Sequence, residues 1–492
     1  MRPRSHQFDE LPIRRRRGRS SVRPGRPASP TAFGPPRIAP IAMIAMLTLS
    51  IATSNTVGQA LPTDPPVGET PEVPTPAAPD PPPSSVRGPG PETDEAARRR
   101  RASQGLEVWN RKTLTGDWWD VRSTWQDAGV DLQASLVYDV VSNLSGGIRT
   151  GTTDPYLFNA QIEFDLETLF GLEGAEFFAL GQIAGGGNPS VEFVGDYQGV
   201  DNNAIVGSLG QLSQIWYRQR LFDDRMSVQL GKLDFLASFA SPSVSATFIN
   251  NGLDYPSTLN VSSPTFPNQA FGILVEGSPI DGLELKAGLY DGSNPPAIGA
   301  PSSGTGGLGP ATFFDNVAGY FAIGEAKLSW KAEGRPGALA AGGWGHTGEF
   351  PSFAGGRASG THGAYAYLQQ AMWLADEDAP DGAGISLFAI ASVGEASTNP
   401  VRWSLSGGLS WRGPIPSRPD DQFGIGVAYA RFTDEGSFFP RPGECAIEAF
   451  YSVQVTPWLS IQPDLQYVID PGGDAVATEN ALVGILRMTI TF

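Results

Sequence analysis

Side chains that could bind a polar solute alternate along several segments of the chain. Trp216, Arg218 and Arg220 share one face of such a segment, which places two guanidinium groups beside an indole ring. A period of two assigns five more candidates to similar polar faces: Glu448, Gln462, Asp464, Gln466 and Arg487. Arginine and amide groups donate hydrogen bonds to hydroxyl groups, carboxylates accept from them, and aromatic rings stack on C–H faces.

This mixture of groups predicts a path for a neutral polyhydroxyl solute. A channel for anions should instead carry a denser ladder of Lys and Arg. The alternative is that Arg218, Arg220 and Asp464 form mutual ion pairs that only stiffen the wall to which they belong.

The elements that position these side chains are predicted to be β-strands. In the clearest segment five apolar residues (Phe158, Ala160, Ile162, Phe164, Leu166) alternate with five polar ones (Asn159, Gln161, Glu163, Asp165, Glu167). The pattern recurs in strands of about ten residues, separated by Gly, Pro, Asn and Asp turns. No stretch after residue 60 approaches a membrane-spanning helix, so a membrane location would require a closed barrel. We therefore predict an all-β fold, a transmembrane antiparallel β-barrel of about 16 strands over residues 130–492.

The last alternating segment ends on the aromatic residue Phe492. Leu486, Met488 and Phe492 lie on one face, whereas Arg487 and Thr489 lie on the other. A terminal aromatic residue on an alternating strand resembles the assembly signal of bacterial outer-membrane barrels. We expect the barrel assembly machinery to recognise Phe492 and the last strand to pair with the first, because hydrocarbon cannot satisfy an open strand edge.

Three segments precede the predicted barrel. Residues 1–60 are predicted to be a signal peptide, with a basic start, an apolar run at 38–51 and small residues near position 60. The alternative, a membrane anchor, is disfavoured because that run is shorter than the roughly 20 residues of a spanning helix. Residues 61–105 are predicted to be a disordered Pro-rich linker, either a spacer or an inert tether. Residues 106–129 are predicted to be a short helical segment, with one helix from Thr115 to Gly129.

Composition argues against several other functions. The formal net charge of −17 disfavours nucleic acid as a partner, since phosphates require clustered Lys and Arg. The single cysteine, Cys445, has no intrachain disulfide partner, and His346 and His362 lack neighbours at ligand spacing. We therefore expect no metal site and no cofactor. A GxSxG motif is absent from the sequence, which weakens the hypothesis that the protein is an esterase or lipase.

Four sequence blocks together resemble the carbohydrate-selective porin (OprB-type) family. They are LTGDWWDVR at 114–122, NLSGG at 143–147, SQIWYRQRLFDDRMSVQLGKLD at 213–234 and VTPWLSIQPDLQYVIDPGG at 455–473. The resemblance covers the chain from Leu106 onward and departs from the family's simplest form in the long N-terminal extension.

Membership implies a 16-stranded channel for monosaccharides such as glucose, in contact with the lipid of a Gram-negative outer membrane. Both a monomer and a homotrimer fit the sequence. The alternatives are a general porin for other solutes, an outer-membrane barrel enzyme and a secreted carbohydrate-binding sandwich.

Overall fold

The computed structural model describes residues 108–261, 263–292, 313–314, 319–376, 383–473 and 478–492. The predicted signal peptide (1–60) and Pro-rich linker (61–105) lie outside these residues. Short α-helices occur at α1 (Val121–Asp127), α2 (Leu166–Phe170) and α3 (Asn251–Asp254). The sequence predicted helix in the region of α1 but not at α2 or α3.

The described residues form seventeen β-strands. In chain order they are β1 (Val130–Gly147), β2 (Gly151–Thr153), β3 (Tyr156–Asp165), β4 (Ala175–Gly185), β5 (Leu209–Leu221), β6 (Met226–Leu233), β7 (Ala270–Ile280), β8 (Leu283–Asp291), β9 (Tyr320–Ala332), β10 (Arg335–Pro351), β11 (Arg357–Leu374), β12 (Gly384–Gly394), β13 (Val401–Arg412), β14 (Gln422–Phe432), β15 (Gly443–Thr456), β16 (Leu459–Ile469) and β17 (Glu479–Thr491). Each of them pairs antiparallel with its neighbours.

The sheet closes on itself where the first and last strands meet. Asp139 of β1 lies opposite Arg487 of β17, and the other side of β1 pairs with β2 and β3. β2 and β3 pair with successive parts of β1 in the same register. Together they therefore count as one strand of the closed barrel. The prediction of a closed antiparallel barrel of 16 strands is therefore confirmed.

The two faces of the barrel differ as the alternation predicted. Outward positions carry exposed apolar side chains such as Leu405, Val427 and Leu486, whereas inward positions carry buried polar ones such as Glu448 and Gln466. An apolar exterior suits contact with lipid, and a polar interior suits a channel. Within the described ranges, no helix combines the length and apolarity needed to cross a membrane.

Turns and loops are distributed unequally between the two ends of the barrel. At one end, short turns join β5 to β6, β7 to β8, β9 to β10 and β15 to β16. The start of β1 and the end of β17 lie at this same end. At the opposite end, longer connections follow β4 and β6, spanning residues 186–208 and 234–269.

The segment before β1 is less helical than predicted. Trp118, Trp119 and Asp120 adopt left-handed backbone angles, with φ of 51°, 59° and 68°, so α1 begins only at Val121. Thr115 therefore does not cap this helix. Left-handed residues interrupt a right-handed helix because their side chains crowd the backbone. The predicted start at Thr115 is wrong, although helix does occur within the predicted range.

The guanidinium group of Arg122 fastens this segment to the closing strands. It donates hydrogen bonds to Thr113 Oγ1 at 2.6 Å, to the carbonyl oxygen of Phe492 at 2.7 Å and to that of Leu132 at 3.2 Å. The Phe492 ring packs edge-on against Phe158, with centroids 6.1 Å apart. The segment thus bridges both sides of the position at which the barrel closes.

Candidate solute pathway

Two long loops fold into the barrel rather than away from it. We call residues 186–208 the first inward loop, and residues 234–261 together with 263–269 the second inward loop. The first packs Phe193, Val194 and Val200 against inward residues of β1, β16 and β17. The second forms a larger apolar cluster with inward residues of eleven strands, from β4 to β15. Burial of this apolar surface favours the inward position, and the loops narrow the lumen.

Glycines on β14 make room for the second inward loop. A Cβ atom on Gly424 would lie 3.1 Å from Phe248, and one on Gly426 would lie 2.8 Å from Leu253. Phe248 also packs edge-on against Phe450, with centroids 5.0 Å apart. The loop therefore lies directly on the wall at β14, and any solute must pass elsewhere.

The predicted candidate Arg487 joins the barrel closure to the first inward loop. Its guanidinium group donates two hydrogen bonds to Asp139, at 2.8 and 2.9 Å. It also donates to Asp201 at 3.3 Å and to Asn202 at 2.8 Å. Burial, the largest cause, and the nearby Asp139 carboxylate raise the pKa of Asp201 to about 7, which Arg487 partly opposes.

The predicted candidate Glu448 holds the second inward loop. Its two carboxylate oxygens accept from the backbone N–H groups of Ile249 at 2.8 Å and Asn250 at 2.9 Å. The side-chain amide of Asn250 donates to Gln466 at 3.0 Å. Glu448 thus faces inward as predicted, but its two carboxylate oxygens bond to the chain itself.

The three candidates on β16 also face inward, and two of them, Gln462 and Gln466, contact the loops. Gln462 donates to the carbonyl oxygen of Thr247 at 3.0 Å, and Gln466 donates to that of Val200 at 2.9 Å. Gln466 also donates to Asp464 at 3.2 Å. The inward loops therefore cover the wall formed by β15, β16 and β17. Polar side chains of this wall form hydrogen bonds with backbone groups of the loops.

The three candidates on β5 lie apart from this covered wall, toward the end with short turns. Trp216 is only 8% exposed, because it stacks on Phe178 at 4.8 Å and lies beneath the Arg218 guanidinium at 4.9 Å. Arg218 and Arg220 both pair with Glu176, at 3.4 and 3.2 Å. Their side chains are 31% and 38% exposed, so the two guanidinium groups are accessible while the indole faces are covered.

A charged wall continues from β5 toward β9. Lys286 pairs with Glu284 at 3.0 Å and with Glu276 at 4.0 Å, and Lys327 pairs with Glu284 at 3.7 Å. These residues were not among the predicted candidates, although Glu284 and Lys286 lie on a segment with the same alternation. Acidic and basic groups are interleaved along this wall, so each charge lies beside one of the opposite sign.

A cavity lies between the second inward loop and the wall from β9 to β12. Its volume is about 670 Å³, and the residues around it include Ser243, Lys327, Lys331 and Gln369. Sites for small molecules typically have volumes of about 300–1,000 Å³. The charged wall and this cavity together mark a path that the loops leave open at the end with short turns.

A closed barrel of 16 antiparallel strands with loops folded into its lumen is the architecture of an outer-membrane porin. A family model described as "Carbohydrate-selective porin, OprB family" matches residues 150–492, more than half of the chain. The chain therefore belongs to the carbohydrate-selective porin, OprB family. It is a porin of the Gram-negative outer membrane, of the family that lets carbohydrates diffuse. The end with short turns accordingly faces the periplasm.

Individual relatives agree with this assignment. Porin B of Pseudomonas aeruginosa is 25% identical over 433 residues, which cover 78% of this chain and 92% of the relative. The putative porin QuiX of Acinetobacter baylyi is 23% identical over 434 residues, which cover 78% and 95% of the two chains. The high-pH structure of Pseudomonas putida OprB is 24% identical and superposes with a TM-score of 0.70, covering 78% of this chain and 99% of that one. This last similarity supports the fold.

Proposed function

We propose that neutral monosaccharides such as glucose diffuse passively along the charged wall, beside the two inward loops. The balance of charge on this wall carries the proposal. Arg218 and Arg220 share the carboxylate of Glu176, and Lys286 pairs with Glu284. Paired charges offer hydrogen-bond donors and acceptors to hydroxyl groups without strongly favouring an anion or a cation.

The candidate residues have two different roles in this proposal. Arg218 and Arg220 contact the solute directly, because their guanidinium groups are accessible from the lumen. Trp216 supports Arg218 from beneath. Four of the remaining candidates act through bonds to the inward loops: Glu448, Gln462, Gln466 and Arg487. Asp464 acts indirectly, by accepting a hydrogen bond from Gln466.

The experiment is single-channel conductance in a planar bilayer, with increasing glucose. We expect discrete current steps that glucose blocks in a saturable way. Arg218→Gln and Arg220→Gln should each weaken this block while leaving the steps intact. The matched control is Arg402→Gln, which removes an exposed arginine paired with Asp434 outside the charged wall.

Two results would contradict the proposal. Steps that no sugar blocks would indicate a general porin for other solutes, the main alternative. Equal weakening of the block by Arg402→Gln would show that the charged wall has no special role. The family and fold are those of a channel, and the proposal includes no catalytic step.

We also propose that Phe492 presents the last strand to the barrel assembly machinery. Its ring lies on the outer face of the barrel against Phe158, at the periplasmic end. Phe492→Ala should therefore slow assembly in cells more than spontaneous folding in detergent. Equal slowing of both would argue that the ring acts only in packing.

A further inference from the structure

Three glutamates of the barrel wall hold backbone groups of the inward loops. Glu448 binds Ile249 and Asn250, as described above. Glu444 accepts from the N–H groups of residues 197 and 198, at 2.7 and 2.9 Å. Glu325 accepts from the N–H group of residue 240 at 2.9 Å. Their positions on β9 and β15 fix the first inward loop at one point and the second inward loop at two.

Because these glutamates are buried, each of them favours the one position of the loop in which the backbone N–H groups reach its carboxylate. Glu444 and Glu448 are fully buried, and Glu325 is 5% exposed. A buried carboxylate needs hydrogen-bond donors, and a loop displaced by one residue would take its backbone donors away from it. Apolar packing is not directional, so it can keep a loop in the lumen without fixing its position. The carboxylates supply the missing constraint.

We propose that Glu325, Glu444 and Glu448 determine the size limit of the channel by fixing the inward loops. They are positioning residues, since they bind the loops and not the solute. This inference requires a channel but not the sugar preference proposed above, because a size limit is measured with uncharged polymers. Failure of one proposal therefore leaves the other standing.

The test uses the full-length protein in a planar bilayer, with Glu325→Gln, Glu444→Gln and Glu448→Gln made singly. A glutamine keeps the volume but presents an NH₂ group where an oxygen accepted a backbone N–H. Loss of a charge-assisted hydrogen bond should raise the ratio of released to fixed loop by about tenfold or more. We expect a new higher-conductance state and a larger polyethylene glycol as the smallest one excluded.

Two comparisons separate this role from general destabilisation. Glu349→Gln is the matched control, because it removes a carboxylate outside the charged wall, which pairs with Arg357 of the neighbouring strand at 3.0 Å. It should leave the size limit unchanged. If a glutamine variant fails to fold, Tyr365→Phe removes only the hydroxyl that donates to Glu325 at 2.8 Å. It should produce a smaller shift in the same direction.

The inference is overturned if the folded variants exclude the same polymers as the wild type and show no new conductance state. Folding is checked by heat-modifiable migration in detergent, measured on the same preparations. An equal increase in the size limit for Glu349→Gln would also overturn it, because the effect would then follow from lost charge and not from released loops.

Discussion

Removing Arg487 should destabilise the barrel far more than removing an arginine of the charged wall. The Arg487 side chain is 12% exposed and donates four hydrogen bonds. Arg487→Met would leave the fully buried carboxylate of Asp139 without its cation. Breaking a buried ion pair from one side typically costs about 3–5 kcal/mol. Arg220 is 38% exposed and pairs at the periplasmic rim, where such pairs contribute about 0–1 kcal/mol.

The difference should be visible in urea unfolding of protein refolded in detergent. We expect Arg487→Met to shift the unfolding equilibrium by on the order of a hundredfold more than Arg220→Ala. Acidification should recover part of the loss, because an uncompensated buried carboxylate is neutralised by taking up a proton. Comparable destabilisation by the two variants, or a loss that persists unchanged at low pH, would refute the reasoning.

Three further predictions concern the segment before β1, the packed wall and the loops. Arg122→Ala should lower stability by about 1–3 kcal/mol, since it removes hydrogen bonds to both sides of the closure, and the temperature at which the heat-modifiable form is lost should fall. Gly426→Val should displace the second inward loop and widen the channel in polymer-exclusion measurements, whereas Gly343→Val, on the outer face with no contact closer than 3.7 Å, should not. Burial raises the pKa of Asp201 to about 7 and that of Asp254 to about 6, so their stabilising contribution is full below about pH 4 and is lost as the pH rises through 6 to 7. Open-channel noise should therefore be greater at pH 8 than at pH 5, and Asp254→Asn should reduce this difference; greater noise at pH 5 would contradict the assignment.

Alternation predicted the barrel and the orientation of its side chains well. The period of two is a local property, set by the backbone of a strand, and a barrel in lipid must turn its apolar side outward. Gln462, Asp464 and Gln466 therefore face inward, as their spacing requires. The same rule, applied to every strand, would also have found Glu284 and Lys286.

Alternation could not predict what stands opposite each inward side chain. Glu448 binds Ile249, which lies 199 residues earlier in the chain. Nothing in the spacing of β15 distinguishes a carboxylate that faces water from one that holds a loop. We expected solute contacts at Glu448, Gln462 and Gln466. In the structure these side chains hydrogen-bond to the inward loops. Trp216 was placed on the correct face, but the ring stacked on Phe178 covers it.

The inward loops do carry a sequence signal, once two distant features are considered together. A loop that extends into water has no reason to place Phe248, Ile249 and Leu253 within six residues, because exposed apolar groups are unfavourable there. Their counterpart is the pair Gly424 and Gly426, whose inward positions on β14 would otherwise carry side chains. An apolar loop and an inward glycine pair thus predict that the loop folds back onto that strand. Neither feature suffices alone, since apolar residues can mark an interface and glycines can mark a bend.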